Sequence, residues 1–109
     1  MKTVVFRGSS LDDLRSFPAS VMREAGYQID RIQNGLLPDD FKPMASVGSA
    51  VAEIRTWDEA GIFRVIYVAK FEKAVYVLHC FQKKSQKTSK KDIDLAEKRY
   101  KDLIKEIES

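Results

Sequence analysis

Cysteine and histidine are the scarcest reactive residues in this 109-residue chain, one of each. A lone Cys80 rules out an internal disulfide and fits a reducing compartment. One histidine and one cysteine also fall short of the four ligands that a structural zinc normally takes. Apolar runs are short, and none is longer than Val65 to Ala69, between Arg64 and Lys70, far too short to span a bilayer. Met1 leads straight into a strand-like TVVF, with no apolar h-region or small-residue cleavage site. No signal peptide is therefore expected, and the expected location is the cytoplasm, without a membrane partner. Internal repeats and low-complexity segments are missing too, so residues 1–109 are read as a single domain.

What the chain does contain is ordinary for a globular protein: 44% hydrophobic and 32% charged residues, enough to build one core. The unusual feature is where the positive charge sits. A strand-like run, Val75 to Phe81, opens into a tract holding Lys83, Lys84, Lys87, Lys90 and Lys91, with no acid until Asp92. These five lysines exceed the net charge of +3, so the rest of the chain sums to −2 (3 minus 5). Positive charge concentrated at a strand's end, with a pI near 9.0, favours a polyanionic partner.

Lys2 to Arg7 reads as a short β-branched strand that Gly8 ends. Ser9 and Ser10 offer an N-cap, with Asp13 three residues after Ser10, and Leu11, Leu14 and Phe17 recur at helical spacing. Pro18 suits the first position of a second helix, whose stripe is Val21, Met22, Ala25, Ile29 and Ile32, with Gly35 as C-cap. Leu36 to Gly48 is punctuated by Pro38, Pro43 and Gly48 and reads as a loop. Ser49 to Trp57 alternates, and Asp58 to Gly61 makes a hairpin turn. Ile62 to Phe71 is apolar without clean alternation, the mark of a central strand buried on both faces. Glu72 and Lys73 turn it into Ala74 to Phe81. Ser89 to Glu108 carries Ile93, Ala96, Tyr100, Leu103, Ile104 and Ile107 on one helical face, with Ser89 as its cap. The expected fold is α+β in the order β-α-α-β-β-β-α: a small antiparallel sheet, an N-terminal helical hairpin and a C-terminal helix.

Several segments resemble a known family. They are Lys42-Pro43-Met44, Glu53-Ile54-Arg55, Phe63 to Tyr67 (FRVIY), His79 to Thr88 (HCFQKKSQKT), and Ala96 with Arg99 in the last helix. Together they resemble the RelE/HigB-type toxins of bacterial type II toxin–antitoxin modules, in the phage-related HigB branch. The resemblance runs along nearly the whole chain, and Val77 to Thr88 is its most specific part. It implies a RelE-like fold and a ribosome-dependent endoribonuclease (an mRNA interferase) that cuts A-site mRNA without a metal or other cofactor. It also implies a helix-turn-helix antitoxin as partner, with operator DNA bound only through the antitoxin complex. The antitoxin is expected to cover Trp57 and the apolar face of the last helix.

Such a nuclease must take a proton from a ribose 2′-OH, stabilise extra charge on phosphorus and protonate the leaving 5′-oxygen. Acid–base help is typically about 10²–10⁴-fold in rate. Arg64 is the first candidate, because a guanidinium within an apolar central strand needs a reason to be there and its planar fork suits a phosphate. The competing account is a salt bridge from Arg64 to Glu53 across the sheet. Glu53 and Arg55 leave the same face of one strand, so Arg55 is a second phosphate contact if Arg64 joins them. Glu53 either acts as a base or fixes the arginines, and members of the superfamily carry other residue types at this position, including lysine.

Lys83 and Lys84 leave opposite sides of an extended chain, so only one faces the site. Crowding among cations can lower a lysine's pKa and fit it for proton transfer. Lys87, Lys90 and Lys91 read as an electrostatic track for RNA. Gln82 and Gln86 are contacts to sugars or bases, or simply a polar loop. His79 has a pKa suited to acid–base work, yet a lone histidine inside a strand is more often a hydrogen-bonded core residue. Phe81 and Trp57 are candidates to stack on a base, to fill core or to meet an antitoxin, whereas Cys80 reads as a small core hydrophobe. Some toxins of the superfamily use a histidine or tyrosine near the C-terminus. Here the last helix offers Tyr100, which its spacing assigns to the apolar face, so the general acid has no clear counterpart. Two readings compete with the nuclease: a ParE-like inhibitor of DNA gyrase, and a nucleic-acid-binding module without catalysis.

Overall fold

A computed structural model describes residues 1–109. Its elements are β1 (Thr3–Phe6), α1 (Ser10–Arg15), α2 (Ala19–Gln33), β2 (Phe41–Pro43), β3 (Val51–Asp58), β4 (Gly61–Val68), β5 (Ala74–Lys83) and α3 (Lys90–Glu108). The strands form one sheet in the order β1-β5-β4-β3-β2. β4 lies at its centre, and Phe63 to Val68 are all buried, which is why this stretch does not alternate.

Two expectations are corrected. The sheet is mixed, not antiparallel throughout: β1 pairs parallel with β5, Thr3 opposite Ala74 and Phe6 opposite Val77, while the other pairings are antiparallel. A parallel pair needs a long crossover, and everything from α1 to β4 supplies it. The second correction concerns the segment expected to be loop, which holds the three-residue strand β2. Pro43 sits at its end and on the sheet edge, where its missing N–H breaks no interior ladder. The order is thus β-α-α-β-β-β-β-α.

Local signals explain the rest. Gly35 takes φ 82° just after α2, and Gly61 takes φ 142° in the β3–β4 turn, both conformations costly to a residue with a Cβ. Pro18 is the N-cap of α2, one place before the position expected. Ser89 caps α3, its Oγ accepting the Asp92 N–H at 3.2 Å.

The sheet separates two cores. The helical hairpin covers one face through Leu14, Phe17, Val21, Ala25 and Ile29, packed on Ile54, Val65, Val77 and Cys80. Burial pushes the Cys80 thiol up to about 12, consistent with its reading as an inert hydrophobe. α3 packs on the other face, where Ala96 and Leu103 meet Ile66, Val68, Leu78 and Phe81. Each fully buried aliphatic side chain contributes about 1.5–3 kcal/mol, so both layers anchor the sheet firmly. No helix is long and apolar enough to cross a membrane.

Candidate nucleic-acid interface

Strand register decides which side chains meet. Arg55 lies directly opposite Arg64 across β3 and β4, and Lys42 lies opposite Glu53 across β2 and β3. Residues two apart share a face, so Glu53, Arg55 and Trp57 stand with Arg64 on the α3 side of the sheet. The β4–β5 register adds Phe81 opposite Arg64 and Lys83 opposite Ile62 on that same face. Arg55, Arg64, Lys42 and Lys83 thereby collect on one face around Glu53, with Asp40 beside Arg55. Like charges facing each other across strands cost stability, so such a cluster is a candidate for binding something negative.

Arg64 is 6% exposed and Glu53 1%, and Arg64 Nε lies 3.1 Å from Glu53 Oε1. The salt bridge foreseen as the structural account of Arg64 therefore exists. It does not use up the guanidinium. Nη1 donates to the carbonyls of Thr56 (3.3 Å) and Phe63 (3.1 Å), whereas the Nε–H, close to the carboxylate, is not aimed to make a hydrogen bond. The Nε–H thus meets Glu53 as a charge contact with poor hydrogen-bond geometry. Burial lowers the Arg64 pKa most, with Arg55 pushing the same way and Glu53 opposing.

Glu53 is also gripped by Thr88, whose Oγ1 donates to Oε2 at 3.0 Å. A buried carboxylate held by an arginine and a hydroxyl is placed to fix the arginine rather than to collect a proton. Arg55 is half-exposed, with its Nε 3.6 Å from Asp40 Oδ1. Lys83 has its pKa lowered, first by burial and then by Arg64, with Lys42 and Arg55 adding to the effect. That shift brings an amine towards the range useful for proton transfer.

The other sequence-derived candidates divide cleanly. His79 is buried, with its Nε2 2.7 Å from Asp92 Oδ1 and its ring stacked on Phe81 at 4.7 Å, so it ties β5 to the start of α3. Phe81, 8% exposed and already stacked, has no face open to a base. Gln82 lies on the opposite side of β5, donating to the Ala60 carbonyl at 3.2 Å, and Lys84 reaches the same side, donating to Gln82 Oε1. Neither joins the arginines. Gln86 and Lys87 line a shallow cleft of about 340 Å³ with Lys42 and Pro43, at the rim of the cluster. Lys90 and Lys91 are exposed in the first turn of α3, and the hydrogen bond from Lys90 to Asp94 (2.9 Å) raises the Lys90 pKa.

Sequence reasoning missed the roles of Lys42, Thr88 and Asp92. Lys42 sat inside a segment read as loop, and its one signal was its place in the Lys42-Pro43-Met44 segment of the family resemblance. Thr88 and Asp92 act on residues 35 and 13 positions away, which spacing along one element does not reveal.

A five-stranded mixed sheet with three helices, one face carrying this cluster, is compatible with the RelE-like class of small α+β toxins. A family model described as Phage derived protein Gp49-like (DUF891) matches residues 12–101. The chain belongs to that family, a toxin-like family related to RelE and HigB. No curated protein matches the chain.

Proposed function

We propose that this protein is the toxin of a type II toxin–antitoxin module of the HigB branch, acting in the cytoplasm as a ribosome-dependent mRNA endoribonuclease. The observation that carries the reading is the convergence of Arg55, Arg64, Lys42 and Lys83 on one sheet face, with Arg64 held in place by the buried Glu53. In this reading Arg64 and Arg55 hold the scissile phosphate and stabilise the charge that builds on phosphorus, and such stabilisation dominates the rate gain in many enzymes. Lys83, with its lowered pKa, moves a proton between the ribose 2′-OH and the leaving oxygen. Glu53 positions Arg64. The ribosome supplies the geometry of the message, which is how so small a set of groups suffices. A helix-turn-helix antitoxin silences the toxin, and operator DNA is bound only by that complex.

The test is cleavage of a defined message in a ribosome-containing extract, mapped by primer extension. Wild type is expected to cut within the translated message, and Arg55→Ala and Arg64→Ala are each expected to lower the rate by about 10²-fold or more. Undiminished cleavage by both folded variants overturns the assignment. Intact message combined with inhibited supercoiling by purified gyrase replaces it with the ParE-like reading. The burial of Glu53 and His79 favours a second reading, a nucleic-acid-binding module without catalysis. Steeply salt-dependent RNA binding without cleavage would establish it.

A further inference from the structure

The cation cluster accounts for a phosphate but leaves one large feature of the same face unexplained. Trp57, the chain's one tryptophan, is 63% exposed, and its cross-strand partner Ile62 is 38% exposed. Neither is covered by α3, which packs over the rows of Ile66 and Leu78. Trp57 stands two residues beyond Arg55 on β3, and the row runs on through Ile62 to Lys83 on β5. An apolar strip thus lies beside the arginines, closed at one end by the lysine whose pKa they lower.

We infer that Trp57, backed by Ile62, is a nucleobase platform that takes an unpaired base next to the phosphate held by Arg55 and Arg64. This deepens the RNA reading above and rests on it. Two residues along a strand span about 7 Å, on the order of the reach from a phosphate to its own base. An indole face accepts any of the four bases, and a base stacked there is shielded from water on one side. Exposed tryptophan alone would also suit a protein partner. RNA is favoured by charge: Arg55, Arg64 and Lys83 stand on this face, and each of the four carboxylates in the hollow shared by Arg55 and Trp57 already has a partner, Asp40 with Arg55, Asp39 with Arg31, Glu24 with Gln28, and Asp58 with the Ala60 N–H. Phe81, the aromatic nearest the cations, is occupied by His79, and Tyr76 further along the face is packed edge-on against Phe71, which leaves Trp57 as the open ring.

Having a single tryptophan makes the test direct, since the intrinsic fluorescence of the full chain reports this position alone. A short single-stranded oligoribonucleotide, 2′-O-methylated so that it cannot be cut, is titrated at low salt. Saturable quenching is expected, whereas inorganic phosphate should compete for the cations without reproducing it. Trp57→Ala should weaken binding by about 5- to 150-fold, the range for loss of one stacked base, and Trp57→Phe should recover most of it. The salt slope should stay unchanged in Trp57→Ala and fall in Arg55→Ala, because only the latter removes a phosphate contact. Absence of quenching at saturation, or absence of oligonucleotide binding altogether, overturns the inference, as does Trp57→Ala binding like wild type; that last result would assign the strip to a protein interface. The two proposals fail separately. Quenching by RNA without message cleavage in extract sinks the nuclease and keeps the platform, whereas cleavage that is indifferent to Trp57→Ala in rate and base preference sinks the platform and keeps the nuclease.

Discussion

Arg64 and Glu53 meet diagonally across neighbouring strands, 3.1 Å apart and almost closed to solvent, and Thr88 reaches across from the loop before α3 to the same carboxylate. Charge, loop and sheet are thereby fastened at one point. Removing one member of a buried pair leaves the other uncompensated and typically costs about 3–5 kcal/mol. Glu53→Gln is expected to lower stability on that scale, read by urea unfolding. Replacing Glu53 and Arg64 together by methionine should restore much of it while cleavage stays lost. A double variant as unstable as the single one would mean that packing, not charge, dominates here.

Lys83 and Lys84 are neighbours with opposite placements, and their variants should differ accordingly. Lys83→Ala is expected to reduce message cleavage by about 10²-fold or more, and Lys84→Ala by no more than a few-fold. Equal losses would return the effect to general electrostatics of the loop.

The lowered Lys83 pKa also has a stability consequence with a definite sign. In the folded state this amine binds its proton less readily than in the unfolded chain, so its charge opposes folding below the depressed pKa. The penalty is relieved as pH rises from that value towards the ordinary lysine value of 10.5. Lys83→Met should therefore be more stable than wild type at neutral pH, with the advantage shrinking in alkaline buffer. A constant difference across pH would show that the gain comes from packing.

Thr88 holds the lysine loop against the sheet. A hydrogen bond to a charged group is worth about 1.5–3 kcal/mol, and Thr88→Val removes it with little change in shape. Faster native-state trypsin cleavage after Lys84 and Lys87 is expected, with the rest of the chain still protected. Unchanged proteolysis would place the loop's order elsewhere.

His79 and Asp92 are expected to act through structure. His79→Phe keeps the stack on Phe81 and loses the bond to Asp92, so stability should fall by about 1–3 kcal/mol while cleavage per folded molecule is kept. Collapse of the rate in folded His79→Phe would bring the imidazole into the chemistry.

Features carried by one element were legible in the sequence. The stripe of Val21, Ala25, Ile29 and Ile32 gives α2, the unbroken burial of Phe63 to Val68 gives a central β4, and Ser89 with Asp92 gives the start of α3. Alternation alone separated Lys83 from Lys84. What escaped depends on distant partners. A three-residue edge strand ending in proline has no period to detect, so β2 was invisible, and Lys42 was marked only by its place in the Lys42-Pro43-Met44 segment. The parallel pairing of β1 with β5 is a choice of partner that short β-branched strands do not announce. The candidate site was half legible for the same reason: Glu53, Arg55 and Arg64 lie on two adjacent strands joined by a tight hairpin, but Thr88 and Asp92 act from the far side of β5.

That parallel pairing sets a timetable for synthesis. β1 leaves the ribosome first, yet its partner begins at Ala74, and the clasp on Glu53 comes later still, at Thr88. Contacts so far apart in sequence form slowly and late. A nascent chain that has not yet released Ala74 to Thr88 has neither a neighbour for β1 nor a fastening for its buried carboxylate. The cationic face is therefore assembled only after the loop that carries Thr88 has emerged.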